Sequence, residues 1–134
     1  MTKTCVAMTA VLLLCSAALA QTPPTECFDK AVTQVEYAAC LKTEMEALGK
    51  QCKNVEEQVM SRMRALDRVQ KNKKATQALT DANKAFQMYV KEECELIEKS
   101  YGSGAGAGAA GLACRINLTR LRMGALQHQF LSVQ

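Results

Sequence analysis

The sequence predicts an all-α protein, a small bundle of three main helices with the first one long, stapled by two disulfides. Apolar residues recur at spacings of three and four through most of the chain. No segment alternates as a half-buried strand does, and cysteines sit where successive segments must meet. The 134 residues leave room for one domain. Hydrophobic residues make up 49% but aromatics only 4%, so aliphatic side chains, methionine and cysteine must fill the core.

Residues 1–20 read as a secretory signal peptide. Lys3 supplies the positive start, Val6 to Leu14 a short apolar stretch, and Ala18-Leu19-Ala20 an A-x-A cleavage signal. Cys15 follows Leu14, where a lipoprotein anchor normally follows a small residue, so cleavage after Ala20 is the favoured processing. The expected mature domain is residues 21–134, periplasmic or secreted. Loss of Lys3 leaves 16 basic against 13 acidic residues, a net charge of +3. That is too weak to argue for nucleic acid, and no later stretch is long and apolar enough to span a membrane.

Residues 21–32 hold both prolines and read as an extended arm with room for a short helical turn. Thr33 and Glu36 form a capping-box pattern, so a helix should start near Gln34. Its seam runs Tyr37, Leu41, Met45, Leu48, Cys52, Val55, Val59, Met63 and Leu66, all within roughly 80° of arc at 100° per residue. The basic run at 71–74 suits the end of that helix. A second helix fits 76–100, with Leu79, Ala82, Phe86, Tyr89, Val90 and Ile97 on one face and Glu93 projecting among them. YGSGAGAGAAG then reads as a flexible loop, followed by a third helix over 113–131.

Five cysteines remain in the mature chain, and no two lie closer than twelve positions, which disfavours a zinc site. Four of them allow three pairings. Cys27–Cys40 and Cys94–Cys114 are preferred because each closes a short loop between segments that already meet, worth roughly 3 kcal/mol apiece in the chain-entropy view. Cys52 falls in the middle of the apolar seam and reads as a buried free thiol. Its alternatives are a redox or intermolecular thiol, or an exchange with one of the four paired cysteines.

The other motifs argue against chemistry. G-x-G-x-x-G at 106–111 lacks the preceding strand that a dinucleotide site needs. The sequon at Asn117 falls inside a helix. Glu92, Glu93, Glu95 and Glu98 are neighbours on one helix and do not face each other across a cleft. Arg122 is the expected partner of Glu93. His128 is the single histidine and sits on a terminal helix, so no catalytic residue, cofactor or metal is assigned. Arg62, Arg64, Arg68, Lys71, Lys73 and Lys74 form a basic patch with Asp67 the one acid among them. Such a run is normally a solvated face, or it meets an anionic envelope component.

In order and spacing these residues resemble the LprI-like lysozyme-inhibitor family of small exported bacterial domains. Cys27, Thr33, Glu36 and Cys40 match its opening. Phe86, Tyr89, Glu93 and Cys94 match its middle block, and Cys114, Thr119, Arg122 and Leu126 its end. The family's tryptophan is Phe86 here, its arginine is Val90, its next acid is Lys91, and its leucine-asparagine pair is Cys52-Lys53. The resemblance implies a non-enzymatic binding protein whose partner is lysozyme or another wall hydrolase. Phe86, Tyr89, Glu93, Thr119 and Arg122 are the structural or partner-contact candidates. The alternative expectation is a periplasmic envelope interaction or stress module that binds another protein or an anionic envelope component. The oligomeric state is not legible.

Overall fold

A computed structural model describes residues 25–70, 74–104 and 106–132, which leaves the expected signal peptide, Lys71 and Lys73 outside the described part. The elements run α1 (Thr25–Lys30), α2 (Gln34–Val69), α3 (Ala75–Ser100) and α4 (Gly106–Leu126), with a π-helical turn at Gln127–Leu131. The described residues contain no strand, and the fold is the all-α bundle that the periodicity predicts.

The start of α2 follows from the capping box. The Glu36 amide donates to Thr33 Oγ1 at 3.2 Å, and Glu36 Oε2 accepts from the Val32 and Thr33 amides at 2.9 and 3.2 Å. Three otherwise unpaired donors are thereby satisfied. The helix spans 36 residues, roughly 54 Å. Leu41, Leu48, Cys52, Val55, Val59 and Met63 of its seam are buried, and the seam ends at a half-exposed Leu66.

Helix α4 occupies the middle. It packs along both α2 and α3, which meet each other less extensively. One core cluster joins Cys27, Leu41, Leu48, Ala109 and Ile116, and a second joins Val55, Val59, Met63, Leu79 and Leu126. Full burial of Leu41 or Ile116 contributes roughly 1.5–3 kcal/mol each. Helix α3 adds only Leu79 and Cys94 to the buried set, so Ala82 and Tyr89 are exposed although they share the expected inner face. The disulfides are Cys27–Cys40 and Cys94–Cys114, with Cα–Cα distances of 5.6 and 5.5 Å.

The arm contains the short helical turn for which the sequence left room: Thr25–Lys30 is helical and buries Cys27 against α2. Two expectations need correction. The glycine loop is shorter than its composition suggests, because α4 begins at Gly106 and not at 113. Small residues let this segment approach α3 and α2 closely, and the packing outweighs their poor propensity. Ala109 is buried, and a Cβ at Gly111 would lie 2.8 Å from Glu98 Oε2. The loop proper is the turn around Gly102, whose φ of 73° suits glycine. At the other end the α-helix stops at Leu126, and the expected continuation to 131 is a π turn that closes with the Ser132 amide on the Gln127 carbonyl.

Candidate cleft between the ends of the three helices

An open cleft of about 460 Å³ lies where the start of α2, the C-terminal half of α3 and the first half of α4 converge. On α3 and its C-cap the wall is the ladder Tyr89, Glu93, Ile97 and Tyr101, four residues apart and therefore on one face. On α4 the floor is Gly106, Ala109, Ala110 and Ala113, with Asn117 beyond. Their small side chains leave the space that larger ones would fill. Gln34 and Tyr37 of α2 close the third side. All three tyrosines of the protein therefore face one cavity.

The wall is anchored at both ends. The Phe28 ring of α1 meets Tyr37 edge-on with centroids 6.1 Å apart, and the Cys27–Cys40 bond ties α1 to the same turn of α2. Cys94–Cys114 fixes the α3 ladder against the α4 floor. Burial, then the nearby Glu44 carboxylate and Tyr101, push the Tyr37 hydroxyl above its ordinary pKa. Tyr89 and Tyr101 stay 51% and 64% exposed at the rim.

Glu93 is the only ionisable acid in this lining besides the phenols, and no lining side chain is basic. Neighbouring carboxylates have partners. Arg120 pairs with Glu44, Lys99 with Glu95 at 2.6 Å, and Arg115 with Glu98 at 3.8 Å. No ion pair among the described residues includes Glu93.

The expected Glu93–Arg122 pair does not form. Arg122 Nη2 donates to Asn83 Oδ1 at 2.8 Å, and its guanidinium carbon lies 5.6 Å from the centroid of the Phe86 ring. Its Nε is buried with no hydrogen-bond partner among the described residues. The reason is register. Helices α3 and α4 are antiparallel and joined at Cys94–Cys114, so a residue eight beyond Cys114 meets α3 about eight before Cys94, near Phe86. Glu93 lies roughly 10 Å further along.

The structure thus divides the five candidates. Tyr89 and Glu93 line the tyrosine cleft. Phe86 and Thr119 line a second, smaller cavity of about 270 Å³ with Cys52, Glu56 and Val90, and Arg122 stacks on Phe86. Cys52 is free and 9% exposed; burial, and then Glu56, push its thiol pKa up. Burial also raises the Glu56 carboxyl. In the basic patch, Arg62, Arg64, Arg68 and Lys74 are exposed, and Arg62 donates to the Phe130 carbonyl. Sequence alone does not mark Asn83, Tyr37 or Tyr101 as site residues. Tyr37 reads as seam and Tyr101 as loop, although the i+4 spacing from Tyr89 to Tyr101 was a usable signal.

The described residues contain no group of three His, Cys, Asp or Glu side chains placed to hold a metal, and none of their helices is long and apolar enough to cross a membrane. His128 is exposed on the terminal π turn. A family model described as Lysozyme inhibitor LprI matches residues 27–126. That span contains both disulfides and every α3 and α4 residue of the cleft. Neither the curated proteins nor the solved structures give a match.

Proposed function

The chain belongs to the LprI lysozyme-inhibitor family, and from that premise we propose that it is an exported, non-enzymatic protein that occludes a lysozyme or related wall hydrolase. The observation that carries the reading is the gathering of all three tyrosines on one open cleft. Tyrosine supplies large contact area at low entropic cost and is enriched where proteins meet. Rim exposure of Tyr89 and Tyr101 makes that area accessible to a partner. Processing near Ala20 delivers the domain to the compartment where wall hydrolases act and where disulfides persist.

The test is lysis of cell-wall suspensions by several lysozymes with and without the mature protein. Inhibition that Tyr89→Ala weakens supports the reading. Absence of inhibition at tens of micromolar protein overturns it.

A second reading rests on the exposed Arg64, Arg68 and Lys74, which form no ion pair among the described residues. They would meet an anionic envelope component at the end of α2 remote from the cleft. Charge reversal at Arg64 and Arg68 should abolish retention on anionic vesicles if that reading holds, and retained binding would remove it.

A further inference from the structure

We infer that the tyrosine cleft is a receptor for a cationic side chain, specifically an arginine presented by the protein partner. The inference rests on the reading of this cleft as the docking face and names what enters it. Glu93 is half-buried in the cleft wall, and no ion pair of the described residues neutralises it. Glu44, Glu95 and Glu98 lie outside this lining and each has a basic partner, so Glu93 is the carboxylate that the cleft itself leaves open to a counter-charge. A half-buried carboxylate lacking a counter-charge favours an incoming cation over any neutral or anionic group.

The rest of the lining has the same preference. Tyr89, one turn before Glu93 on α3, and Tyr101, the C-cap of that helix two turns after it, line the same cleft, and aromatic rings attract a cation. Gln34 and Asn117 add amide oxygens that accept hydrogen bonds from a guanidinium. The alanine floor suits the aliphatic stem of the incoming side chain. Arginine fits better than lysine because its planar fork pairs with a carboxylate and stacks on an aromatic ring together. The space of about 460 Å³ admits such a side chain without rearrangement.

The protein carries its own reporter. It has no tryptophan, and its three tyrosines all line this cleft, so intrinsic tyrosine fluorescence reads cleft occupancy. The mature, disulfide-intact protein is titrated at low salt with the blocked peptide acetyl-Gly-Arg-Gly-amide and with its citrulline counterpart, which keeps the shape and loses the charge. The expected result is a saturable change with the arginine peptide and none with the citrulline peptide. Glu93→Gln should weaken the arginine response roughly tenfold. Tyr89→Ala, at a half-exposed position the fold does not need, should weaken it too, and Arg64→Glu at the far end of α2 should not.

Thermal melts of each variant show that the fold is intact. Equal responses to both peptides, an unchanged response in Glu93→Gln, or no response in the wild type would overturn the inference. Inhibition of a hydrolase that survives Glu93→Gln would leave the docking reading standing and remove this one. An arginine-specific, Glu93-dependent response without inhibition of any hydrolase would do the reverse.

Discussion

Arg122 of α4 donates to Asn83 of α3 at 2.8 Å, and this contact joins the last turns of α4 to the first half of α3 as Cys94–Cys114 joins the middle of α4 to the second half of α3. The guanidinium also covers Phe86, so one side chain joins a polar and an aromatic neighbour on the same helix. Truncation of Asn83 to alanine leaves a partly buried charged donor unpaired. The expected cost is about 1–3 kcal/mol in urea denaturation. Glu93→Gln should leave stability nearly unchanged, because Glu93 is not the partner of Arg122. A larger loss in Glu93→Gln than in Asn83→Ala would contradict this assignment.

Asp67 near the end of α2 caps α3 from outside it. Its Oδ1 and Oδ2 accept from the Ala75 and Thr76 amides at 2.8 and 2.9 Å, where Lys74 offers no side-chain cap. The bonds to Thr76, first from its side chain and then from its backbone, hold the Asp67 carboxyl below its ordinary pKa. Because the folded pKa lies below the unfolded one, the stabilisation is present above the unfolded value and lost as pH falls through the folded one. Asp67→Ala should therefore lower Tm at pH 6. The gap between variant and wild type should begin to narrow only once pH falls below the ordinary aspartate value of about 3.9.

Thiol counting tests the cysteine roles. Under non-reducing conditions the mature protein should show one reactive thiol, Cys52, and only after denaturation, since that side chain is buried and its thiolate is disfavoured. Replacement of Cys94 and Cys114 by serine together should cost roughly 3 kcal/mol. Rapid labelling of the native protein would show that Cys52 is accessible.

Salt should act on hydrolase binding in an unusual direction. If residues 21–134, with a net charge of +3, meet the proposed basic lysozyme, long-range repulsion slows the encounter, while the cleft attracts only at short range. Stopped-flow association should speed up between low and physiological ionic strength, and dissociation should quicken as the Glu93 contact is screened. An association rate that falls with salt would argue that the acidic face of α3 steers the approach.

Much of this protein is legible in its chain because much of it is local. Apolar spacing along α2, the Thr33–Glu36 box and the order of the cysteines depend on residues close in sequence. From these alone the helical class, the start at Gln34, the buried seam and both disulfide pairs could be read. The helical state of Gly106–Gly111, the Asp67 cap on α3 and the partner of Arg122 could not. Composition argues for a loop at Gly106–Gly111 by about 1 kcal/mol per glycine, and close packing on α3 overrides it. The partner of Arg122 is set by an antiparallel register, which carries a side chain past Glu93 to the turn of Asn83 and Phe86. The meeting of Tyr37, Tyr89 and Tyr101 in one cleft likewise needs three helices at fixed distances, and only tertiary packing sets those distances.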